Sequence, residues 1–299
     1  MDSQTGIDMR VFVVGVPRSG TTLLQSLLAA HSAMTSFTES HFFERHFTHL
    51  PLLSKWVLTK NPAPRVLEFL DENKEDPPDA ARWFELENRR TLRVRPLLPF
   101  KTRSAALQLL RVLDELTLRR CRSSWVEKTP KNLRYIPLLE SVSGPKPRTR
   151  FVHVIRDGLE VVASLHQASQ NWEDPHDLDS CVRRWNADVS LSLGRIGAPT
   201  DHFVFYEELT SRPEGTLRPL LAELGLNWEP DILERYGRAS RQLVTGQEAW
   251  KEGVGRNIRT SGTSDRALTP EQRDRVNRSL RRGLYEQLLE RTERQSGAT

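Results

Sequence analysis

The sequence predicts an α/β fold in which helices cover both faces of a mostly parallel β-sheet. Two short runs rich in β-branched residues, 9–16 and 150–155, are typical of strands that are buried on both faces. Each run leads through a turn into a stretch whose apolar residues recur at helical spacing. Strands that alternate with helices indicate a parallel sheet, because each helix returns the chain to the start of the next strand.

The remaining elements follow from the same patterns, in chain order. The first helix is predicted by four leucines that share one helical face, at positions 23, 24, 27 and 28. The elements predicted after the first strand are helix 22–31, short strand 34–37, strand 125–127, helix 132–141, strand 150–155, helix 159–170, strand 202–206 and helix 214–224. The carboxyl ends of parallel strands form the ligand crevice in such folds, so the loops after these strands should converge.

A long segment between the strands at 34–37 and 125–127 interrupts the alternation. Residues of about 40–120 are helical in character, and seven prolines divide them. The clearest helix, 102–120, carries apolar residues at helical spacing. We interpret the segment as a helical insertion that sets ligand selectivity. Its aromatic residues either line a pocket or belong to the core: Phe42, Phe43, Trp56 and Trp83.

The last part of the chain, about 237–299, is expected to supply a lid loop and a closing helix. Residues 237–265 contain five glycines and little periodicity, which is typical of a long loop that is either functional or disordered. A polar helix is predicted over 270–293. Because α/β folds of this length are often undivided, we expect residues 1–299 to form a single domain.

Composition excludes several classes of protein. Of the 299 residues, 37% are hydrophobic and 28% are charged, as in soluble globular proteins and unlike disordered chains. The two cysteines, Cys121 and Cys181, predict neither a disulfide framework nor a zinc site, so a cytoplasmic location is expected. The longest apolar run, 11–16, is far shorter than the ~20 residues of a membrane span, and the first residues lack the features of a signal peptide.

The balance of charges points mildly to an anionic ligand. The formal net charge is +5 at pH 7. A positive surface attracts anions, but here the arginines are spread along the chain and interleaved with acids. This distribution argues against nucleic acid as a partner, because nucleic-acid-binding proteins concentrate their positive charge on one face.

The turn after the first strand has the glycine spacing of a phosphate-binding loop. It reads Gly15-Val-Pro-Arg-Ser-Gly20-Thr-Thr, in which glycines allow backbone N–H groups to surround an anion and the following helix adds a favourable dipole. The nucleotide-triphosphatase version of this loop has a lysine after the second glycine. Here Thr21 takes that position and the positive charge lies within the loop, on Arg18. The loop is therefore poorly suited to a triphosphate with Mg²⁺.

A second candidate anion site follows the strand at 150–155. Arg156 stands at the end of the strand, and Ser164 lies eight residues later in the predicted helix. A guanidinium offers a planar pair of donors to a phosphate, and a hydroxyl two turns into the helix could reach the same anion. The same residues are also compatible with a surface ion pair at a helix start.

Together the two motifs resemble those of sulfotransferases, which take a sulfuryl group from 3′-phosphoadenosine 5′-phosphosulfate. The glycine loop resembles their 5′-phosphosulfate loop, and Arg156-Asp-Gly-Leu-Glu-Val-Val-Ala-Ser164 resembles their 3′-phosphate motif, with Gly158 where the family usually has proline. Glu127-Lys-Thr-Pro and Val204-Phe-Tyr-Glu-Glu-Leu-Thr resemble further family segments. The pattern is most similar to the bacterial and tyrosylprotein branches, since the Arg-Lys-Gly motif of the cytosolic branch is not found.

The resemblance implies roles for individual residues. Glu39 would be the general base, with His41 as the alternative, while Lys128 and Arg18 would stabilise the charge that develops during transfer. No metal is required, because the transferred group carries a single negative charge and positioned donors can stabilise it. The residues expected to bind the donor are Arg18, Ser19, Gly20, Thr21, Thr22, Arg156, Ser164, Tyr206 and, from the lid loop, Arg256.

Three functions remain open on the sequence. The first is an enzyme that sulfates a hydroxyl of a small molecule, lipid or sugar. The second is a non-catalytic module that binds the nucleotide without turnover. The third is a P-loop kinase, which the absence of the loop lysine disfavours because that lysine binds the β- and γ-phosphates.

Overall fold

The computed structural model of the chain describes residues 6–53, 55–84, 99–172, 174–243 and 262–296. The strands are β1 (Met9–Gly15), β2 (Met34–Ser36), β3 (Phe47–Leu50), β4 (Lys55–Leu58), β5 (Ser124–Lys128), β6 (Arg148–Ile155) and β7 (Asp201–Phe205). The α-helices are α1 (Thr21–Ala29), α2 (Phe42–His46), α3 (Ala63–Glu72), α4 (Pro99–Arg119), α5 (Ile136–Val142), α6 (Gly158–Ser169), α7 (Leu178–Leu193), α8 (Tyr206–Ser211), α9 (Pro213–Leu224), α10 (Ile232–Leu243), α11 (Thr263–Ala267), α12 (Pro270–Ser279) and α13 (Arg282–Ser296). Short 3-10 helices span Pro51–Leu53 and Pro130–Tyr135. Of the helices in these ranges, none has both the length and the apolar character to cross a membrane.

Five strands form one parallel sheet in the order β2-β5-β1-β6-β7, which confirms the predicted α/β fold class. In the register of this sheet, Val13 of β1 lies beside Lys128 of β5 and Val152 of β6. Ile155, the last residue of β6, lies beside Phe205 of β7. The carboxyl ends of these four strands therefore meet at one edge, where α/β sheets bind their ligands.

Burial of alternate strand residues on opposite faces holds the helices to the sheet. Val11 and Val13 belong to a buried cluster with residues of α1, α9 and α10. Phe12, between them, packs on the other face with Trp125, at 5.1 Å between ring centroids, and with residues of α4 and α5. A third cluster joins α6, α7, α12 and α13. Each fully buried side chain of this size contributes about 1.5–3 kcal/mol, so the sheet is held rigidly beneath its carboxyl edge.

The insertion predicted over about 40–120 contains helices but is not wholly helical. Strands β3 and β4 form an antiparallel hairpin in which His49 pairs with Trp56. Strands this short carry too few residues for an alternating pattern to be recognised. Phe42 and Phe43 are fully buried in the core, and Trp56 and Trp83 pack against it, so these four aromatic residues belong to the core.

Two predicted helices have different bounds for identifiable reasons. The α-helix predicted over 132–141 begins only at Ile136, because Pro137 in a longer helix would clash with the carbonyl four residues earlier. The helix predicted over 270–293 is two helices, α12 and α13. They are separated because Leu280 takes an extended conformation, with ψ of 134°, and is buried in the core.

Two further element boundaries differ from the prediction, one at the end of β7 and one in helix α10. Tyr206, predicted as the last residue of a strand, is the first residue of α8. Helix α10 ends at Leu243 and so occupies the beginning of the segment 237–265 that the sequence indicates as a loop. It forms because Ile232 and Tyr236, one helical turn apart, are both buried against the sheet-facing cluster.

Candidate active site

A cavity of about 990 Å³ lies at the carboxyl edge of the sheet. Residues of the cavity wall come from the loop after β1, the end of β5, and helices α2, α6 and α7. The sequence-predicted site residues that line it are Arg18, Gly20, Thr21, Thr22, Glu39, Lys128, Arg156, Ser164 and Tyr206. Ser19 is fully buried instead, and its Oγ has no hydrogen-bond partner among the described residues. Arg256 lies outside the described residues.

The conformation of the loop after β1 depends on glycine at both ends. Gly15 has a φ of 147°, and a Cβ there would lie 2.6 Å from the carbonyl oxygen of Val154 in β6. Gly20 has a φ of 94°, and its Cβ would lie 2.2 Å from Cδ2 of Tyr206. Helix α1 begins at this point with no side-chain cap and no acidic residue in its first turn. Its first N–H groups are therefore oriented as an anion site.

Arg156 and Ser164 lie directly against this loop. The Arg156 guanidinium donates from Nη1 to the carbonyl oxygen of Arg18, at 2.8 Å, and packs 4.4 Å from the ring centroid of Tyr206. Arg18 in turn donates from Nε to Oγ of Ser164, at 3.1 Å. Asp157 caps α6 by accepting from the N–H of Glu160, so the helix that carries Ser164 starts at the strand end. The two predicted anion sites thus form one connected wall.

Glu39 and Lys128 form an ion pair on the same cavity. Lys128 is the last residue of β5, is 1% exposed, and donates from Nζ to Oε1 of Glu39. The other carboxylate oxygen of Glu39 lies 3.5 Å from Nε2 of His41. Buried Arg65 fixes the backbone here, since it donates to the carbonyl oxygens of Glu39 and Ser40, each at 2.8 Å. A carboxylate and an ammonium group, 89 residues apart in the chain, are thereby held together.

Glu127 is a buried carboxylate to which the sequence analysis gave no role. It supports the Glu39–Lys128 pair by holding the adjacent backbone. It accepts from the N–H and the hydroxyl of Ser40, at 3.1 and 2.8 Å, from Thr129, and from Asn132 at 2.8 Å. Burial raises the pKa of Glu127, while the hydrogen bonds of Thr129 and Ser40 oppose that shift. Two of the residues bonded to it, Ser40 and Thr129, are chain neighbours of Glu39 and of Lys128. The available sequence signal was an acid that directly follows the apolar pair Trp125-Val126 in a predicted buried strand.

Another side of the cavity consists of paired charges, which we call the ion-pair wall. Nζ of Lys131 lies 2.7 Å from the carboxylate of Glu44 in α2. Asp188 of α7, almost fully buried, accepts from Arg134 at 2.6 Å and from Arg184. The ion-pair wall is defined by these five residues, of which all but the buried Asp188 line the cavity. The sequence analysis missed it because its members come from three elements distant in sequence. Further residues that line the cavity are His41, Trp172, His176, Cys181 and Arg183.

Burial sets the ionisation of several groups that line the cavity. The pKa of the Cys181 thiol is raised to about 11 by burial and by the charge of Asp177, so the thiol stays protonated at neutral pH. Burial also raises the pKa of Tyr206, which keeps its ring neutral beneath Arg156. For Glu44, burial acts to raise the pKa, but the hydrogen bonds and charges of His41 and Lys131 lower it overall. Within the described ranges, no three His, Cys, Asp or Glu side chains are grouped so as to hold a metal ion.

The arrangement suits transfer of an anionic group to a hydroxyl. The loop amides and two arginines can hold an anion, and a neighbouring carboxylate can take a proton from a hydroxyl. An ammonium group beside that carboxylate can stabilise negative charge as it develops on oxygen.

Comparisons with known proteins match most of the chain, including the residues that line the cavity. The model of the "Sulfotransferase family" matches residues 10–230. Protein-tyrosine sulfotransferase A of Caenorhabditis elegans is 23% identical over 228 residues, which are 75% of this chain and 51% of that protein. An uncharacterised protein of Aquifex aeolicus is 28% identical over 238 residues, 76% of this chain and 26% of its own length. The chain thus spans between a quarter and about half of these curated relatives.

Solved structures share the fold over nearly the whole chain. The sulfotransferase domain of the curacin biosynthetic pathway has a TM-score of 0.55 at 18% identity, and the match covers 91% of this chain and 95% of that domain. The sulfotransferase domain of the Synechococcus olefin synthase has a TM-score of 0.52 at 17% identity, covering 93% of this chain and 96% of that domain. At this level of identity the comparison establishes the fold.

Proposed function

The chain belongs to the sulfotransferase family, and from that premise we propose that it transfers a sulfuryl group from 3′-phosphoadenosine 5′-phosphosulfate to a hydroxyl. The acceptor would be a small molecule, a lipid or a sugar. The observation that carries the proposal is the contact of Arg18 with both Arg156 and Ser164 on a cavity that also contains Glu39. One nucleotide with phosphates at both ends would span this wall.

The donor would bind along the donor-side wall, which we define as loop residues 17–22 with Arg156, Ser164 and Tyr206. Backbone N–H groups at the start of α1 would hold the 5′-phosphosulfate. The guanidinium of Arg156 and the hydroxyl of Ser164 would hold the 3′-phosphate. The buried, unpartnered Oγ of Ser19 lies within the same loop and supports an anion there, because native structures seldom leave such atoms unbonded.

In the proposed reaction Glu39 takes the proton of the acceptor hydroxyl while the acceptor oxygen attacks sulfur. The bond between sulfur and the oxygen of the 5′-phosphate breaks, and that oxygen keeps the electron pair. The products are the sulfated acceptor and adenosine 3′,5′-bisphosphate. Once Glu39 is protonated it no longer holds the ammonium charge of Lys128, which can then stabilise the departing oxygen together with Arg18. His41, 3.5 Å from Glu39, is the alternative base.

The acceptor would enter beside the ion-pair wall, which lines the part of the cavity formed by α2, α7 and the 3-10 helix after β5. Among the described residues of the predicted insertion, which leave out 54 and 85–98, His41 and Glu44 line the cavity, so selectivity would depend on these two residues together with α7 and the 3-10 helix after β5. Both cysteines are unpaired, as is usual in a reducing compartment, and we therefore include a cytoplasmic location in the proposal.

Thermal unfolding with nucleotides tests the proposal without knowledge of the acceptor. Adenosine 3′,5′-bisphosphate at about a hundred times its Kd should raise Tm by about 4–5 °C in the absence of metal, while ATP with Mg²⁺ should do little. Stabilisation by ATP with Mg²⁺ alone would favour a kinase instead. Labelled donor is then incubated with the protein and an extract of its native cells. Binding without transfer of label would favour a non-catalytic module.

A further inference from the structure

Glu160 is a carboxylate close to the donor-side wall that the proposed reaction does not use. It lies in the first turn of α6, and its Oε2 forms an ion pair with Nη2 of Arg156 at 3.3 Å. The same carboxylate accepts from the N–H of Thr263 at 3.0 Å and from the N–H of Ser264 at 3.2 Å. The hydroxyl of Ser264 donates to it as well. Glu160 therefore connects the Arg156 guanidinium to helix α11, more than 100 residues further along the chain.

Among the described residues, three groups hold the guanidinium of Arg156. Its Nη1 donates to the carbonyl oxygen of Arg18, its plane lies over the ring of Tyr206, and its Nη2 pairs with Glu160. The side chain of Arg156 is 7% exposed. An arginine side chain loses much rotamer freedom when it binds an anion, and contacts that fix it beforehand reduce this cost.

We propose that Glu160 is a positioning residue that sets selectivity for the 3′-phosphate of the nucleotide by fixing the orientation of Arg156. This inference rests on the function proposed above and names a determinant of its donor specificity. Glu160 also carries a negative charge, which by itself would repel a phosphate. Donors from Thr263, Ser264 and Arg156 engage its oxygens, so that charge is compensated before the nucleotide binds. Orientation is therefore expected to outweigh repulsion.

Glu207 provides a matched control because it also ties a C-terminal helix to the end of β6. Its carboxylate accepts from the N–H of Asp157 at 3.0 Å and from the hydroxyl of Tyr285 in α13 at 3.1 Å. It thus resembles Glu160 in joining the C-terminal helices to the strand end, but its bonds are made to the backbone of Asp157 and not to Arg156. A loss of helix docking alone should affect the two variants alike.

The test compares two nucleotides that differ only in the 3′-phosphate, adenosine 3′,5′-bisphosphate and adenosine 5′-monophosphate, by calorimetric titration without metal. Wild type should prefer the bisphosphate. In Glu160→Gln the Kd of the bisphosphate should rise about five- to tenfold while that of the monophosphate stays within about twofold. Ser264→Ala, which removes one donor to Glu160, should reduce the preference by a smaller factor. Glu160→Asp, which keeps the charge, should retain part of the preference for the bisphosphate that Glu160→Gln loses. Glu207→Gln should leave the ratio of the two Kd values unchanged.

The outcomes separate this inference from the proposed function. Equal weakening of both nucleotides in Glu160→Gln, an unchanged preference, or tighter binding of the bisphosphate would overturn the positioning role. If Glu160→Gln does not fold, Ser264→Ala and Glu160→Asp decide, and an unchanged ratio in both overturns it too. Failure of wild type to prefer the bisphosphate would refute the proposed function itself.

Discussion

The donor-side wall and the ion-pair wall of the cavity are both charged, but they are built differently. The donor-side wall consists of a short loop, two strand ends and a serine of α6, and its arginines are fixed by one backbone carbonyl, a hydroxyl, an aromatic ring and the carboxylate of Glu160. The ion-pair wall consists of long side chains that neutralise each other, and Arg134 in it is 44% exposed. Backbone geometry gives one fixed shape, whereas exposed ion pairs hold their geometry weakly.

Because the two walls are built differently, we expect mutations in them to have different effects. Changes in the donor-side wall should alter nucleotide binding, and through it every later step. Changes in the ion-pair wall should alter the acceptor KM and leave the nucleotide Kd unchanged. Glu39 and Lys128 stand apart from both expectations, since the proposed chemistry depends on them directly. The predictions that follow run from the largest expected effect to the smallest.

Glu39→Gln should lower kcat by about 100- to 10,000-fold, because it removes the proton acceptor and leaves the shape of the cavity intact. Transfer from labelled donor to the acceptor found in the extract gives kcat, and calorimetry with adenosine 3′,5′-bisphosphate should give a Kd within about twofold of wild type. Glu44→Gln, a change of another cavity carboxylate, is the control: as a member of the ion-pair wall it should alter the acceptor KM but leave kcat within about twofold of wild type. Full activity of Glu39→Gln together with an inactive His41→Gln would transfer the role of base to His41.

Arg156→Ala should weaken binding of adenosine 3′,5′-bisphosphate by about 10- to 150-fold, because charge-assisted hydrogen bonds to the 3′-phosphate are lost. Ser164→Ala, which removes one neutral donor, should raise the Kd of the bisphosphate about tenfold or less. Calorimetric titration measures both. Unchanged affinity in both variants would mean that the two predicted anion sites, although adjacent, do not hold the nucleotide.

Gly20→Ala should both destabilise the protein and disturb the loop. Its φ of 94° disfavours any side chain, and the new Cβ would lie 2.2 Å from Tyr206. Gly197→Ala is a matched control, because Gly197 has a φ of 90° with no atom within 4 Å of a new Cβ. The control should cost about 1–2 kcal/mol in the free energy of unfolding, and Gly20→Ala about 1–3 kcal/mol more. Denaturant unfolding measures both. An equal cost would show that the contact with the Tyr206 ring is not tight in solution.

Arg184→Gln should raise the acceptor KM by about three- to tenfold and leave the nucleotide Kd within about twofold, because it alters only the ion-pair wall. Steady-state kinetics and calorimetry on the same protein give the two values. Arg218→Gln, which breaks an exposed ion pair on α9, is the control. A weakened nucleotide Kd in Arg184→Gln would mean that the two walls do not act separately.

Much of the donor-side wall could be predicted from the sequence. The loop from Gly15 to Thr22 is a run of consecutive residues, and Arg156 and Ser164 lie eight positions apart on one strand–helix unit. In such units the backbone itself places the groups, so local pattern and spacing carry the information. The parallel direction of the strands follows as well, because a helix after each strand returns the chain to the start of the next one. The order of the strands in the sheet was not predicted.

The rest of the site could not be predicted because its partners are distant in the chain. Glu127, which supports the Glu39–Lys128 pair, bonds to Ser40 across 87 positions, and Asp188 accepts from Arg134 across 54. No local pattern identifies which buried acid will meet which donor. The hairpin of β3 and β4 was missed for a related reason, since four-residue strands form through packing more than through propensity.

By itself, then, the sequence determined the α/β sheet, the glycine-bounded loop after β1 and the arginine that follows β6, because hydrophobic periodicity and glycine spacing act over neighbouring residues. Only the tertiary structure decided that Arg18 joins Arg156 to Ser164, that Glu127 supports the Glu39–Lys128 pair, and that Glu160 links Arg156 to α11. Those contacts arise where the sheet brings separate strand ends to one edge, and the side chains that meet there depend on how the whole core packs.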